Sequence, residues 1–132
     1  MKKVVVNRVV LDASALLAWL QDEVGHQIVD DHLDVACIST VNLSETVAKS
    51  IEHGGTLEEI HTKLHPLSIT VIDFTEEDCI IAASLREPTR HLGLSLGDRA
   101  CLALGYRLQA TVLTSEKEWA KYDGNVQVKL IR

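Results

Sequence analysis

Apolar and polar positions follow two periods along the chain, one close to 2 and one close to 3.6, and the switches between them mark out strands and helices. Val4 to Leu11 is rich in β-branched residues and predicts a strand, and Ala13 to Leu20 behind it predicts a helix. Asp22 to Asp34 is mostly polar, with Ile28, Val29 and Leu33 at helical spacing, so a short second helix is expected before a strand over Val35 to Ser39. Val41, Leu43, Val47, Ala48 and Ile51 suit an amphipathic helix that Gly54 and Gly55 terminate. Thr56 opens a T-x-x-E pattern with Leu57, Ile60 and Leu64 on one face, Pro66 closes it, and these two helices are expected to pack as a hairpin.

Ser68 to Ile72 predicts a short strand, and Thr75 with Asp78 has the spacing of a capping box ahead of a helix over Glu76 to Leu85. Arg86 to Gly93 contains Pro88 and shows no periodicity, which predicts a loop exposing two arginines. The stretch LSLGDRACLALG, residues 94 to 105, is an apolar helix with Ser95 and Asp98 at capping distance. Thr111 to Leu113 predicts a strand, Ser115 to Lys121 a short helix and Val126 to Ile131 a last strand. Strands alternating with helices imply a three-layer α/β fold with a mostly parallel central sheet of about four to five strands. In such sheets, function gathers at the C-terminal strand edge.

A length of 132 residues is that of one domain, so residues 1–132 are expected to form a single domain with a full core. MKKVVVNRVVLD is interrupted by Asn7 and Arg8 and has no small-residue cleavage pattern, which argues against a signal peptide. Apolar runs such as Ala13 to Leu20 fall short of the roughly 18 to 20 residues a bilayer span needs. Cys37, Cys79 and Cys101 are odd in number, widely spaced and set in apolar contexts, so they are expected to be small buried hydrophobes in a reducing, cytoplasmic compartment. A net charge of −6 repels nucleic acid at long range, so any contact with RNA or DNA requires a local basic patch or bound cations.

Four acids follow a strand or open a helix: Asp12 ends VVLD, Glu45 lies in VNLSE, Asp98 heads its helix and Glu116 follows VLTS. Each has a structural reading, because the helix dipole favours carboxylates in a first turn by about 0.3 to 1 kcal/mol. Asp12 suits an N-cap, Asp98 a capping-box partner of Ser95, and Glu116 a surface dipole residue. All four at one sheet edge would repel one another unless a cation offset their charge. Oxygen ligands without companion histidine or thiolate favour Mg²⁺ or Mn²⁺, whose natural chemistry on such a site is phosphodiester hydrolysis.

VVLDASALLAWL, ISTVNLSETVAK, LSLGDRACLALG and VLTSEKEWA, in that order and spacing, resemble the four blocks of the PIN-domain ribonucleases. More narrowly, the chain is similar to the VapC-type toxins of bacterial toxin–antitoxin pairs. The resemblance runs from the first strand to the last helix. It implies a PIN-like fold and a Mg²⁺-dependent endoribonuclease, Mn²⁺ serving as an alternative, that cleaves a structured RNA. It assigns Asp12, Glu45 and Asp98 as the core acids and puts Glu116 where the family more usually has aspartate, one methylene longer. Asp12 and Asp98 would anchor the ion, with Glu45 and Glu116 completing its field or positioning water. Ser14 and Thr114 resemble the family's small hydroxyl supports. A homodimer and a cognate antitoxin protein that occludes the site are implied as partners.

Other constellations are weaker. His61 and His65 stand at i and i+4 but lack a third zinc ligand, and no H-E-x-x-H, Walker, G-x-G-x-x-G or G-x-S-x-G pattern occurs. A cytoplasmic phosphatase using the same edge, or a catalytically silent PIN-like binding module, are the alternatives. A nucleophilic Asp12 of the haloacid-dehalogenase kind would lack its second aspartate, because Ser14 stands there. Arg86, Arg90, Arg99 and Lys117 lie near the expected active edge, either gripping phosphate or as scattered surface cations. Trp19 and Trp119 read as core or interface aromatics.

Overall fold

The computed structural model describes residues 7–132. Five strands, Val9–Leu11 (β1), Ala36–Ser39 (β2), Thr70–Ile72 (β3), Thr111–Thr114 (β4) and Val128–Leu130 (β5), form a sheet in the order β3-β2-β1-β4-β5, with every neighbouring pair parallel. Six α-helices connect them: Ala13–Leu20 (α1), His26–Asp30 (α2), Thr40–Glu52 (α3), Leu57–Leu64 (α4), Glu76–Ser84 (α5) and Leu96–Leu108 (α6). The expected three-layer α/β architecture is therefore observed. From β1 the chain steps outward through β2 and β3, then returns to the other side of β1 for β4 and β5. The strand order thus reverses between β1 and β4, where an open parallel sheet leaves a crevice at its C-terminal edge.

Period-2 alternation splits the core into two halves. Val9, Leu11, Ala36, Ile38 and Leu113 face α1 and α2, with Leu43 and Leu64 of α3 and α4 packed against them. Val10, Cys37 and Val112 face the opposite way, against Cys101, Leu102 and Leu104 of α6. Strands buried on both faces explain the continuous apolar runs in β1 and β4. Trp119 is buried in the second half, and Trp19 packs at the margin of the first with its Nε1–H on Asp30 Oδ1 at 3.0 Å.

The start of the first expected strand, residues 4–6, lies outside the described residues. Three expectations need correction within them. Lys117–Lys121 is a 3₁₀ turn rather than an α-helix, and Glu116 at its start makes no side-chain cap bond. The loop 86–93 also contains a 3₁₀ turn, Arg90–Leu92, closed by Gly93 at φ +63°, a left-handed conformation that glycine adopts without steric cost. Cys37 and Cys101 are buried, but Cys79 is exposed. On α5 the buried stripe is taken by Asp78 and Ala82, one turn apart, and Cys79 projects away from it.

Asp78 does more than its capping box requires. Its carboxylate accepts the Thr75 backbone N–H at 3.2 Å and a two-pronged contact from Arg107 of α6, at 2.7 and 3.0 Å. This ion pair ties α5 to α6 and leaves Asp78 only 1% exposed. Removing the cation strands a buried carboxylate, which costs far more than an exposed pair is worth. Arg107→Met should lower unfolding free energy by about 3 kcal/mol in urea titrations at pH 7.

Candidate active site

Asp12 follows β1 directly at the point where the strand order reverses. Its backbone N–H donates to Leu113 O at 3.2 Å, extending the β1–β4 ladder by one step, and its carboxylate caps α1 by accepting from Ala15 N at 2.8 Å. Thr114 Oγ1, at the end of β4, donates to Asp12 Oδ2 at 2.6 Å, and Ser14 Oγ donates to the same carboxylate at 2.7 and 2.9 Å from its two oxygens. Both hydroxyl protons are thereby committed to Asp12. Their lone pairs accept in turn, Thr114 from Glu116 N and Ser14 from Ser115 N, each at 3.0 Å. The Ser14 and Thr114 hydroxyls thus orient the carboxylate and bind the turn after β4 to it.

Glu45 stands midway along α3 rather than at its start, since α3 begins at Thr40 with Ser39 Oγ accepting from Val41 N at 3.2 Å. Asn42, one turn earlier and buried, donates through Nδ2 to Glu45 Oε1 at 2.9 Å and to Gly97 O at 3.0 Å. The Glu45 carboxylate rests on Gly97, so closely that a Cβ there would collide with both its oxygens. The glycine in LSLGD thus leaves room for an acid from α3 to lie against the start of α6 in its present position. Asn42 had not stood out in the sequence. The available signal was an amide three residues before Glu45, a spacing that puts both on one helix face.

Asp98 is both cap and site candidate. Ser95 Oγ accepts from Asp98 N at 3.1 Å, and Asp98 Oδ2 accepts from Ser95 N at 2.9 Å, closing a capping box. Only one carboxylate oxygen is used among the described residues, and the side chain is half-buried. Glu116 differs from the other three. It is exposed, and its carboxylate makes no hydrogen bond among the described residues.

Electrostatics group the acids in the same way. Burial pushes the Asp12 carboxyl up to about 6, against the pull of hydrogen bonds from Thr114, Ser14 and Ala15, and the charge of Asp98 adds to the rise. Cys101, one turn beyond Asp98, has its thiol pushed well above the usual range by burial and then by Asp12, Asp98, Cys37 and Glu45. Asp12, Asp98 and Glu45 thus all act on the Cys101 thiol. A broad cleft lined by Ile81, Leu85, Tyr106, Tyr122 and Val126 contains none of these acids.

Among the described residues, no three His, Cys, Asp or Glu side chains are disposed to cage a metal ion by themselves. The donor set nonetheless fits one hard cation. Asp12 is 3% exposed with no ion-pair partner among the described residues, and Asn42 Oδ1 beside Glu45 is a buried carbonyl with no hydrogen-bond partner. Mg²⁺ and Mn²⁺ bind through one or two carboxylates and keep waters, so a complete protein cage is not required. Chemically, the edge offers oxygen ligands and hydroxyls that orient them, but no nucleophilic thiol or imidazole.

The raised Asp12 pKa is a statement about stability. A carboxyl that binds its proton more tightly when folded favours the folded state below the unfolded pKa of 3.8, and that advantage is lost as pH rises through about 6. In chelator, wild-type protein should gain stability relative to Asp12→Asn as pH falls from 7 to 4, by a few kcal/mol at most. Paired urea titrations across that range check it, and millimolar Mg²⁺ should flatten the difference.

Residues 9–125 match the PIN domain family model. No curated protein matches the chain in sequence. Among solved structures, a toxin–antitoxin complex from Klebsiella pneumoniae is similar at TM-score 0.72 and 17% identity, covering 94% of this chain and 98% of that one. DNA-bound VapBC from Salmonella typhimurium is similar at TM-score 0.74 and 14% identity, covering 96% and 100%. VapBC2 from Rickettsia felis, bound to a promoter DNA fragment, gives TM-score 0.71 and 17% identity over 92% and 97%. With the family model spanning nearly all of the described sheet and helices, the chain belongs to the PIN domain family.

Proposed function

We propose that this protein is a divalent-metal-dependent endoribonuclease, the toxin of a toxin–antitoxin pair, acting on a structured RNA. The observation that carries the reading is the Asp12 carboxylate: buried, uncompensated by any cation among the described residues, and within the field of Asp98 at the reversal of strand order. Structures similar in fold are toxin–antitoxin complexes, which supports the toxin role and a protein antitoxin as partner. A homodimer is part of the same reading, as is a cytoplasmic site of action. No helix among the described residues is long and apolar enough to cross a membrane.

In this mechanism Asp12 and Asp98 would anchor the ion, with Mg²⁺ the expected species and Mn²⁺ a substitute. When bound, the ion offsets the carboxylate charge, polarises the scissile phosphate and stabilises negative charge developing on it. Thr114 and Ser14 keep both Asp12 oxygens directed by donating their protons to it. Glu45, fixed by Asn42 and half-buried, accepts a proton from the attacking water as the new P–O bond forms, while the bond to the leaving ribose oxygen breaks and that oxygen takes a proton from solvent. Glu116, exposed after β4, acts at the rim, orienting water or substrate.

Incubation of a mixed pool of structured cellular RNAs with Mg²⁺ or Mn²⁺ tests this. Wild type should cut, chelation should stop it, and Asp98→Asn should lower the rate by at least about a hundredfold while retaining the capping oxygen. Equal cutting by both proteins would refute the assignment. Thr114→Val should lose about 10- to 100-fold, and Glu116→Gln less than about tenfold. Release of inorganic phosphate from small esters, with RNA untouched, would instead establish the phosphatase alternative.

A further inference from the structure

Beside the acids, three arginines converge on one groove. Arg86 and Arg90 come from the segment after α5, Arg99 comes from the first turn of α6, and together with Ser95 they line a concavity of about 390 Å³. Ser95 belongs to both places, because its backbone N–H holds Asp98 Oδ2 while its residue forms part of the groove wall. Of the four cations the sequence placed near the active edge, Arg99 is no scattered surface charge. It is only 9% exposed, and its Nη1 donates at 2.9 Å to Ala82 O, a carbonyl in the last turn of α5. Its Nε is buried without a partner.

A guanidinium fixed by one bond, with a second donor left unsatisfied, is an incomplete site, since an unpaired buried donor on a charged group is costly. The neighbours supply more of the same charge. Arg86 is exposed and has no ion-pair partner among the described residues. Arg90 reaches only Glu87, at 2.9 Å, in a pair exposed on both sides that water screens strongly. In a chain of net charge −6, such a cluster is the local basic patch that contact with a polyanion requires.

We infer that the Arg86–Arg90–Arg99 groove holds a backbone phosphate of the RNA next to the one being cut, using the planar donors of arginine to orient the strand against Asp98. The inference takes its substrate class from the ribonuclease reading. Arg99 is the fixed element, held by Ala82, while Arg86 and Arg90 close on the phosphate from the mobile ends of long side chains. Glu87 yields Arg90 when the strand arrives.

Binding measured in EDTA separates the groove from the chemistry. Labelled bulk tRNA is titrated against wild type, Arg86→Gln, Arg90→Gln, Arg99→Lys and Lys49→Gln at several KCl concentrations. Lys49 is an exposed cation near the C-terminal end of α3. Arg86→Gln and Arg90→Gln should each weaken binding about three- to tenfold and reduce the slope of log K against log[KCl] by about 0.7 to 0.9, the value of one phosphate contact. Lys49→Gln should leave both unchanged. Arg99→Lys, which keeps charge but loses the fork, should weaken binding at nearly unchanged slope. Should Arg99→Lys fail to fold, the two exposed arginines still decide the matter.

Wild-type slopes in both Arg→Gln variants, an equal loss in Lys49→Gln, or no salt-dependent binding by wild type would each overturn the groove. Arginine-dependent binding without any cleavage in Mg²⁺ would leave the groove standing and refute the ribonuclease reading. Cleavage by wild type, with arginine variants that bind and cut as well, would refute the groove alone.

Discussion

The arrangement depends on burying one carboxylate where two parallel strands end. Asp12 leaves β1 as Thr114 leaves β4, and the 2.6 Å bond between them, with the Ser14 bonds, joins the two strands beyond their last ladder step. Burying a charge is expensive, and here it is offset only in part by a helix N-terminus and two hydroxyls. The residual cost appears as a carboxyl raised to about 6. A cation placed there would offset the charge that these groups leave under-satisfied.

Around that carboxylate, other contacts bring in the remaining acids. Gly97 lets the Glu45 side chain lie on the start of α6, and Asn42 holds Glu45 while tying α3 to the Gly97 carbonyl. The Asp78–Arg107 pair anchors α5 to the far half of α6, so the first turn of α6 has a fixed position from which to present both Asp98 and Arg99. A local cap and a functional acid need not be competing descriptions. Asp98 gives one oxygen to Ser95 and keeps the other, so the same side chain starts its helix and contributes charge to the edge.

The sequence by itself determined the element order, the parallel α/β class and the acids most worth watching. Each of these follows from local periodicity or from a short motif: β-branched runs for β1 and β4, S-x-x-D and T-x-x-D caps at Ser95 and Thr75, and the four blocks that resemble PIN domains. Only the tertiary structure decided how the acids divide and what each touches. Glu45 with Asn42 and Gly97, Arg99 with Ala82, and Asp78 with Arg107 are contacts between residues distant in the chain. No periodicity encodes them, because they arise from how helices pack across the sheet. Glu116 shows the converse: its position in a motif matched the other acids, yet a five-residue 3₁₀ turn leaves it in solvent. Burial sets the field at Asp12, and burial is a property of the assembled layers rather than of any one segment.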